Sequence, residues 1–376
     1  MQGEHFVAIA DQVSASIRAI SPYQPGKPIA ELAREMGLRE ADIVKLASNE
    51  NPLGMSPAAR EAIARELHDL PRYPDGNGFE LKAALSARTG IEPGRIVLGN
   101  GSNDVLDLVA RTFLSAGGEA IFSEHGFAVY PISTLAAGGK PVQVPAKAYG
   151  HDLDAMAAAI NERTRVVFIA NPNNPTGTFL PGAELEAFVA RVPENVLVVL
   201  DEAYTEFLPD EDRYDSIAWL ATYPNLLVSR TFSKAYGLAG LRVGFGLGSA
   251  EVIDLLNRVR QPFNVSSLAL SAAAAALGDQ SFVERSAEIN RRGMAQLTDA
   301  FVRLGLDWIP SWGNFVTVRV GNAAGVNLSL LKQGVIVRPI GGYGLPEWLR
   351  VSIGLPEENQ RFIDALGVAL DQEGGK

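Results

Sequence analysis

The run Ser229-Arg-Thr-Phe-Ser-Lys-Ala-Tyr-Gly-Leu-Ala-Gly-Leu-Arg242 decides how this chain is read. It follows Asn225-Leu-Leu-Val-Ser229, an apolar stretch with the pattern of a buried strand, and it leads into a second apolar run. One lysine, Lys234, stands among small and hydroxylic residues. Lysine amines become nucleophiles, able to form Schiff bases, when burial or nearby cations lower their pKa. The hydroxyls of Thr231 and Ser233 and the guanidinium of Arg242 suit a phosphate better than they suit an apolar core. Taken alone, the run fits a basic loop beside a strand equally well, so the reading turns on three further segments.

Asp201-Glu-Ala-Tyr204 closes Asn195-Val-Leu-Val-Val-Leu200, which reads as a strand buried on both faces. Open α/β sheets bind ligands at such strand ends. A carboxylate there can pair with a protonated heterocycle nitrogen, or it can simply cap a helix. Asn171-Pro-Asn-Asn-Pro-Thr-Gly177 follows another such strand, Val166-Val-Phe-Ile-Ala170, and its prolines, asparagines and glycine make a rigid non-helical loop. Gly99-Asn-Gly-Ser-Asn-Asp104 lies between Arg95-Ile-Val-Leu98 and a run with helical periodicity, Val105 to Leu114. Strand, glycine turn and helix N-terminus together form an anion site of exposed N–H groups, with Ser102 and Asn103 as its phosphate contacts. The third glycine of a dinucleotide fingerprint is missing. A Schiff-base lysine beside a phosphate cradle suggests pyridoxal 5′-phosphate.

With these four segments in this order, the chain resembles the aspartate-aminotransferase superfamily (fold type I), and within it the histidinol-phosphate aminotransferase family. The resemblance runs from Leu46-Ala-Ser-Asn-Glu-Asn-Pro-Leu-Gly54 to Leu349-Arg-Val-Ser-Ile-Gly354. It implies that Lys234 holds the cofactor and moves the proton, that Asp201 pairs with the pyridine nitrogen, and that Tyr204 and Asn174 bind the phenolic oxygen. It further implies that Phe127 stacks on the ring, and that Gly101, Ser102, Asn103, Thr231, Ser233 and Arg242 surround the phosphate. Tyr73 would reach the phosphate of a partner subunit, giving a homodimer with shared sites. Arg350 would clamp the substrate carboxylate, with Arg338, Tyr23 and Asn49 as further substrate contacts. The implied reaction is ping-pong amino transfer between histidinol phosphate and 2-oxoglutarate or glutamate. Arg260-Gln-Pro-Phe-Asn-Val265 resembles a branch that also accepts aromatic amino acids or prephenate, and a threonine-phosphate decarboxylase would carry a similar sequence.

The remaining sequence frames this reading. The 376 residues suit two domains. Candidate strands at 95–98, 119–123, 141–145, 165–170, 195–200, 225–229 and 242–247 alternate with helical patterns such as 104–115 and 182–191. This βαβ rhythm predicts an α/β fold, a mainly parallel sheet with helices on both faces in three layers, over residues 45–265. Residues 1–44 and 266–376 are expected to form a smaller α+β domain with strands at 314–320, 335–338 and 349–353. A long helix starting near Ser249 is expected to cross between the two. The net charge of −10 disfavours nucleic-acid and anionic-membrane partners. The absence of cysteine excludes disulfides and thiolate chemistry, and the four scattered histidines show no metal-ligand spacing. Met1-Gln-Gly-Glu-His-Phe lacks the features of a signal peptide and no stretch is long enough to span a membrane, so a cytoplasmic enzyme is expected.

Overall fold

A computed structural model describes residues 9–115 and 117–374; the first six residues, read above for a signal peptide, lie outside that range. A seven-stranded sheet organises the larger part of the chain. Across it the strands run in the order Ile96–Gly99, Gly244–Leu247, Leu226–Thr231, Leu197–Asp201, Thr164–Ala170, Glu119–Ser123 and Lys140–Val144. Gly244–Leu247 is antiparallel to both its neighbours, and the other pairs are parallel.

The inner strands are largely apolar because both faces are covered, whereas the edge strand Lys140–Val144 exposes Lys140 and Gln143. Successive side chains point to opposite faces. Val167, Ile169, Val198 and Leu200 therefore join one core with the helix Gly182–Val189. Val166, Phe168 and Val199 join the other with the helices Ser102–Phe113 and Ala250–Val259. The alanine-rich helix Ser267–Gly278 buries Ala269, Ala272, Ala273 and Ala276 in the first of these cores and packs against the helix Pro57–Glu66. Small side chains permit that close approach.

A four-stranded antiparallel sheet follows, in the order Arg338–Pro339, Trp348–Ser352, Phe315–Arg319, Trp308–Ile309. Leu297 and Phe301 of the 24-residue helix Gln280–Arg303 pack on it with Val326, Leu330, Phe362 and Leu366. A short parallel pair, Val44–Lys45 with Val335–Ile336, ties the N-terminal segment to this region.

The long helix expected from Ser249 is a correction. Ser249 does cap a helix, accepting from Val252 N–H, but that helix ends at Val259. Pro262 explains the stop, since it supplies no N–H and disfavours helical geometry at Gln261. The long helix is Gln280–Arg303, capped by Asp279.

Candidate active site

The sheet topology assembles the site. The C-terminal ends of the parallel strands bring Gly99, Ala170, Asp201 and Thr231 to one edge. The reversed strand begins at that same edge, where Gly244 pairs with both Thr231 and Gly99. Arg242, two residues earlier, therefore returns to the loop that carries Lys234. A cavity opens there, lined from the large sheet by Ser102, Asn103, Asn174, Asp201, Tyr204 and Lys234. Phe127, Thr231, Ser233 and Arg242 line it as well. From other parts of the chain come Tyr23, Asn49, Arg338 and Arg350.

Lys234 Nζ donates to the Ser48 carbonyl at 3.3 Å and lies 5.9 Å from the centre of the Tyr204 ring. Burial, then the nearby Arg350, pushes its pKa down to about 8, the change a nucleophilic lysine needs. The Asp201 carboxyl is pushed up to about 6 by burial, while the Tyr130 O–H, donating to Oδ2 at 2.9 Å, pulls it back. Asp201 Oδ1 is buried with no hydrogen-bond partner among the described residues. Such an atom is costly unless a ligand group completes it. Tyr204 accepts a hydrogen bond from Asn49 Nδ2 at 3.0 Å, and burial lifts its phenol to about 12.

The anion pocket follows from backbone geometry. Gly101 precedes the helix Ser102–Phe113 with φ 79° and ψ 166°, a region essentially reserved for glycine. A side chain there would run into the Arg242 guanidinium. Arg242 itself has φ 56°, and it donates to the Ala239 carbonyl at 3.2 Å and to Ser233 Oγ at 3.5 Å. Helix N-terminal N–H groups, two hydroxyls and a guanidinium thus converge on one corner. A lysine amine, an unsatisfied acid and an anion corner fit pyridoxal 5′-phosphate by the chemistry of the donors.

Arg338 and Arg350 are directly opposite each other on antiparallel strands. Arg350 is buried, donating to Asn174 Oδ1 at 2.6 Å and to the Ala47 carbonyl at 2.7 Å, while its Nε lacks a partner among the described residues. The Arg338 guanidinium lies 5.5 Å from the Tyr23 ring centre. Asn174 is therefore engaged with Arg350, and Asn49 is the residue bonded to Tyr204.

Two expected residues stand apart from the cavity wall. Gly101 acts through the space it leaves for Arg242. Tyr73 is 82% exposed and stacks on Phe263 at 4.7 Å, away from this chain's own cavity. Sequence reasoning missed Tyr130, Ser48 and Glu50. Ser48 and Glu50 flank Asn49 in the same cavity wall. Tyr130 lies in the first turn of the helix Val129–Ala136 and its N–H donates to the Phe127 carbonyl at 3.0 Å, so its closeness in sequence to Phe127 is the signal that could have found it.

The profile of the Aminotransferase class I and II family matches residues 41–366. Histidinol-phosphate aminotransferase 1 of Cupriavidus pinatubonensis is 62% identical over 358 residues, covering 94% of this chain and 95% of that protein. Histidinol-phosphate aminotransferase 1 of Dechloromonas aromatica is 61% identical, covering 97% and 100%. Among solved structures, histidinol-phosphate aminotransferase from Sinorhizobium meliloti in complex with pyridoxal-5′-phosphate superposes with a TM-score of 0.88 at 29% identity, covering 96% and 98%.

Proposed function

The chain belongs to the class I and II aminotransferase family, and on that premise we propose that it is a pyridoxal-phosphate-dependent histidinol-phosphate:2-oxoglutarate aminotransferase serving histidine biosynthesis. One observation carries the substrate reading. Arg338 and Arg350 stand opposite each other in the wall of the cavity that holds the Lys234 amine. Like charges placed directly across a strand pair repel. An anionic substrate group between them offsets that repulsion, and a carboxylate and a phosphate serve alike. One pocket can thus take glutamate and histidinol phosphate in turn, which makes the kinetics ping-pong.

When bound, pyridoxal 5′-phosphate supplies an aldehyde for an amine and a ring that takes up the electrons of the broken Cα–H bond. Ser102, Asn103, Thr231, Ser233 and Arg242 would hold its phosphate. Asp201 Oδ1 would accept from the ring nitrogen, Tyr204 would bond the phenolic oxygen, and Phe127 would cover a face. Lys234 Nζ would take the substrate α-proton and carry it to the carbon of the cofactor's aldehyde group. Its lowered pKa leaves an appreciable unprotonated fraction near neutral pH for this task. Arg350 orients the substrate's anionic end.

Borohydride reduction followed by peptide mapping tests the premise, with Lys234 the residue labelled. Glutamate should convert the cofactor to its amine form, whereas a threonine-phosphate decarboxylase would release carbon dioxide and leave the spectrum unchanged. A kcat/KM for histidinol phosphate at or below those for phenylalanine and prephenate would replace this reading with the aromatic one.

We further propose a cytoplasmic homodimer in which Tyr73 reaches the partner's phosphate. Among the described residues no helix is long and apolar enough to cross a membrane. Mixed Tyr73→Phe and Lys234→Ala chains would then recover activity that neither has alone; hybrids without gain would exclude a shared site. We place the boundary between the two units near residue 280 rather than 266, because the helix Ser267–Gly278 shares the large sheet's core.

A further inference from the structure

We propose that Tyr130 is the positioning residue for Asp201, holding the plane of its carboxylate so that one oxygen is taken up within the fold and the other is left for the cavity. The inference rests on the cofactor reading above only for its purpose, since the contact belongs to the chain itself. Tyr130 is fully buried, and its O–H donates to Asp201 Oδ2 at 2.9 Å. Its ring cannot swing away. It stacks on Phe168 with centroids 4.8 Å apart and an interplanar angle of 6°, and its helix turn is pinned where Thr134 Oγ1 donates to the Tyr130 carbonyl at 2.7 Å. Aromatic pairs of this kind resist ring rotation in a packed interior.

The two oxygens of Asp201 are thereby made unequal. Oδ2 is satisfied from within the fold, and Oδ1 is left buried without a partner among the described residues. A tilt of the carboxyl plane would turn the free oxygen out of line, and the hydrogen bond from the phenol opposes it. The same ring meets Phe127 edge-on, with centroids 6.0 Å apart at 90°. One side chain thus sets both the acid below the proposed ring and the aromatic that would cover it.

The electrostatic role follows from the neighbours. Burial and the adjacent Glu202 push Asp201 towards the neutral acid, while the Tyr130 hydroxyl, then the Ala203 backbone N–H and Lys234, favour the anion. Tyr204, the other titratable group close by, is itself raised by burial and neutral at physiological pH. Lys234 acts on Asp201 only through space, whereas Tyr130 is the side chain that holds the carboxylate ionised by a direct hydrogen bond. A neutral Asp201 would itself carry a proton and could not accept one from a ring nitrogen.

The test uses the full chain with 13C-labelled aspartate, both free of cofactor and loaded with it. Asp201→Asn assigns the resonance. In Tyr130→Phe, which keeps the ring stack, the Asp201 midpoint in the cofactor-free chain should rise by about one unit or more, the effect of losing one hydrogen bond to a charged group. The loaded variant, with 15N in the cofactor ring, should show that nitrogen shifted towards its unprotonated value. A second measurement needs no variant. With 13Cζ-labelled tyrosine in the unmutated chain, the Tyr130 signal should move with the same midpoint as Asp201. A Tyr130 signal flat through that range, or an Asp201 midpoint unchanged in a folded Tyr130→Phe chain, overturns the proposal. If the unmutated chain binds no cofactor, the functional reading fails while the two cofactor-free measurements still decide the role of Tyr130.

Discussion

Replacing Gly101 with alanine separates the backbone argument for the anion pocket from the side-chain argument. Gly101 has φ 79° and ψ 166°, and holding a residue with a Cβ in that region costs about 1–3 kcal/mol. The cofactor-free chain should lose about that much unfolding free energy in urea. A second effect appears only with ligand. The new methyl group would overlap the Arg242 guanidinium, whose Cζ lies 3.1 Å from the ideal Cβ position. The guanidinium must move, giving up its contacts of 3.5 Å with the Asn100 carbonyl and with Ser233 Oγ. A displaced charge-assisted hydrogen bond is worth about 1.5–3 kcal/mol. Cofactor affinity should therefore fall roughly tenfold to 150-fold. The assay is absorbance titration with pyridoxal 5′-phosphate, run also in an Arg242→Ala background. If the effect passes through Arg242, adding the alanine there should cost little further affinity. Unchanged affinity and unchanged unfolding in Gly101→Ala would refute the reasoning, and an undiminished loss in the Arg242→Ala background would refute the route through the guanidinium.

Two further outcomes follow from the site. Lys234 has its pKa lowered to about 8, so the amine is protonated below that value and free above it. The rate of cofactor capture by the cofactor-free chain, corrected for ionisation of the aldehyde, should climb with pH and level off above about 8; a climb continuing towards pH 10 by stopped flow would contradict the burial argument. Arg350→Lys replaces a planar fork, bonded to Asn174 and Ala47, with a point charge. The KM for glutamate should rise by about one to two powers of ten, and a value within twofold of the unmutated chain would show that Arg350 does not hold the carboxylate.

The inner strands of the large sheet were legible because they are short apolar runs ending in a turn or a polar cluster, and burial on both faces leaves no alternation to confuse them. Val166 to Ala170 and Leu197 to Leu200 are the clearest cases. The site was legible for a related reason, since its residues follow successive strand ends and topology alone gathers them. The reversal of Gly244–Leu247 was not legible, because strand sense depends on which neighbours pair and not on local pattern. The stop at Val259 was missed although Pro262 announces it. The split work of two amides, Asn174 on Arg350 and Asn49 on Tyr204, joins residues far apart in sequence, and no local pattern encodes such contacts. Tyr130 was passed over because a tyrosine in the first turn of a largely apolar helix reads as core, and its ring is indeed core while its hydroxyl is bonded to Asp201.

The one strand that runs backwards has a mechanical corollary. Because it turns round at the site edge, Lys234 and Arg242 occupy opposite arms of a single hairpin anchored where Thr231 pairs with Gly244. The span from amine to guanidinium is then set within that one hairpin. Residues added elsewhere along the sheet edge would reshape the walls, but residues added inside this hairpin would change the measure itself.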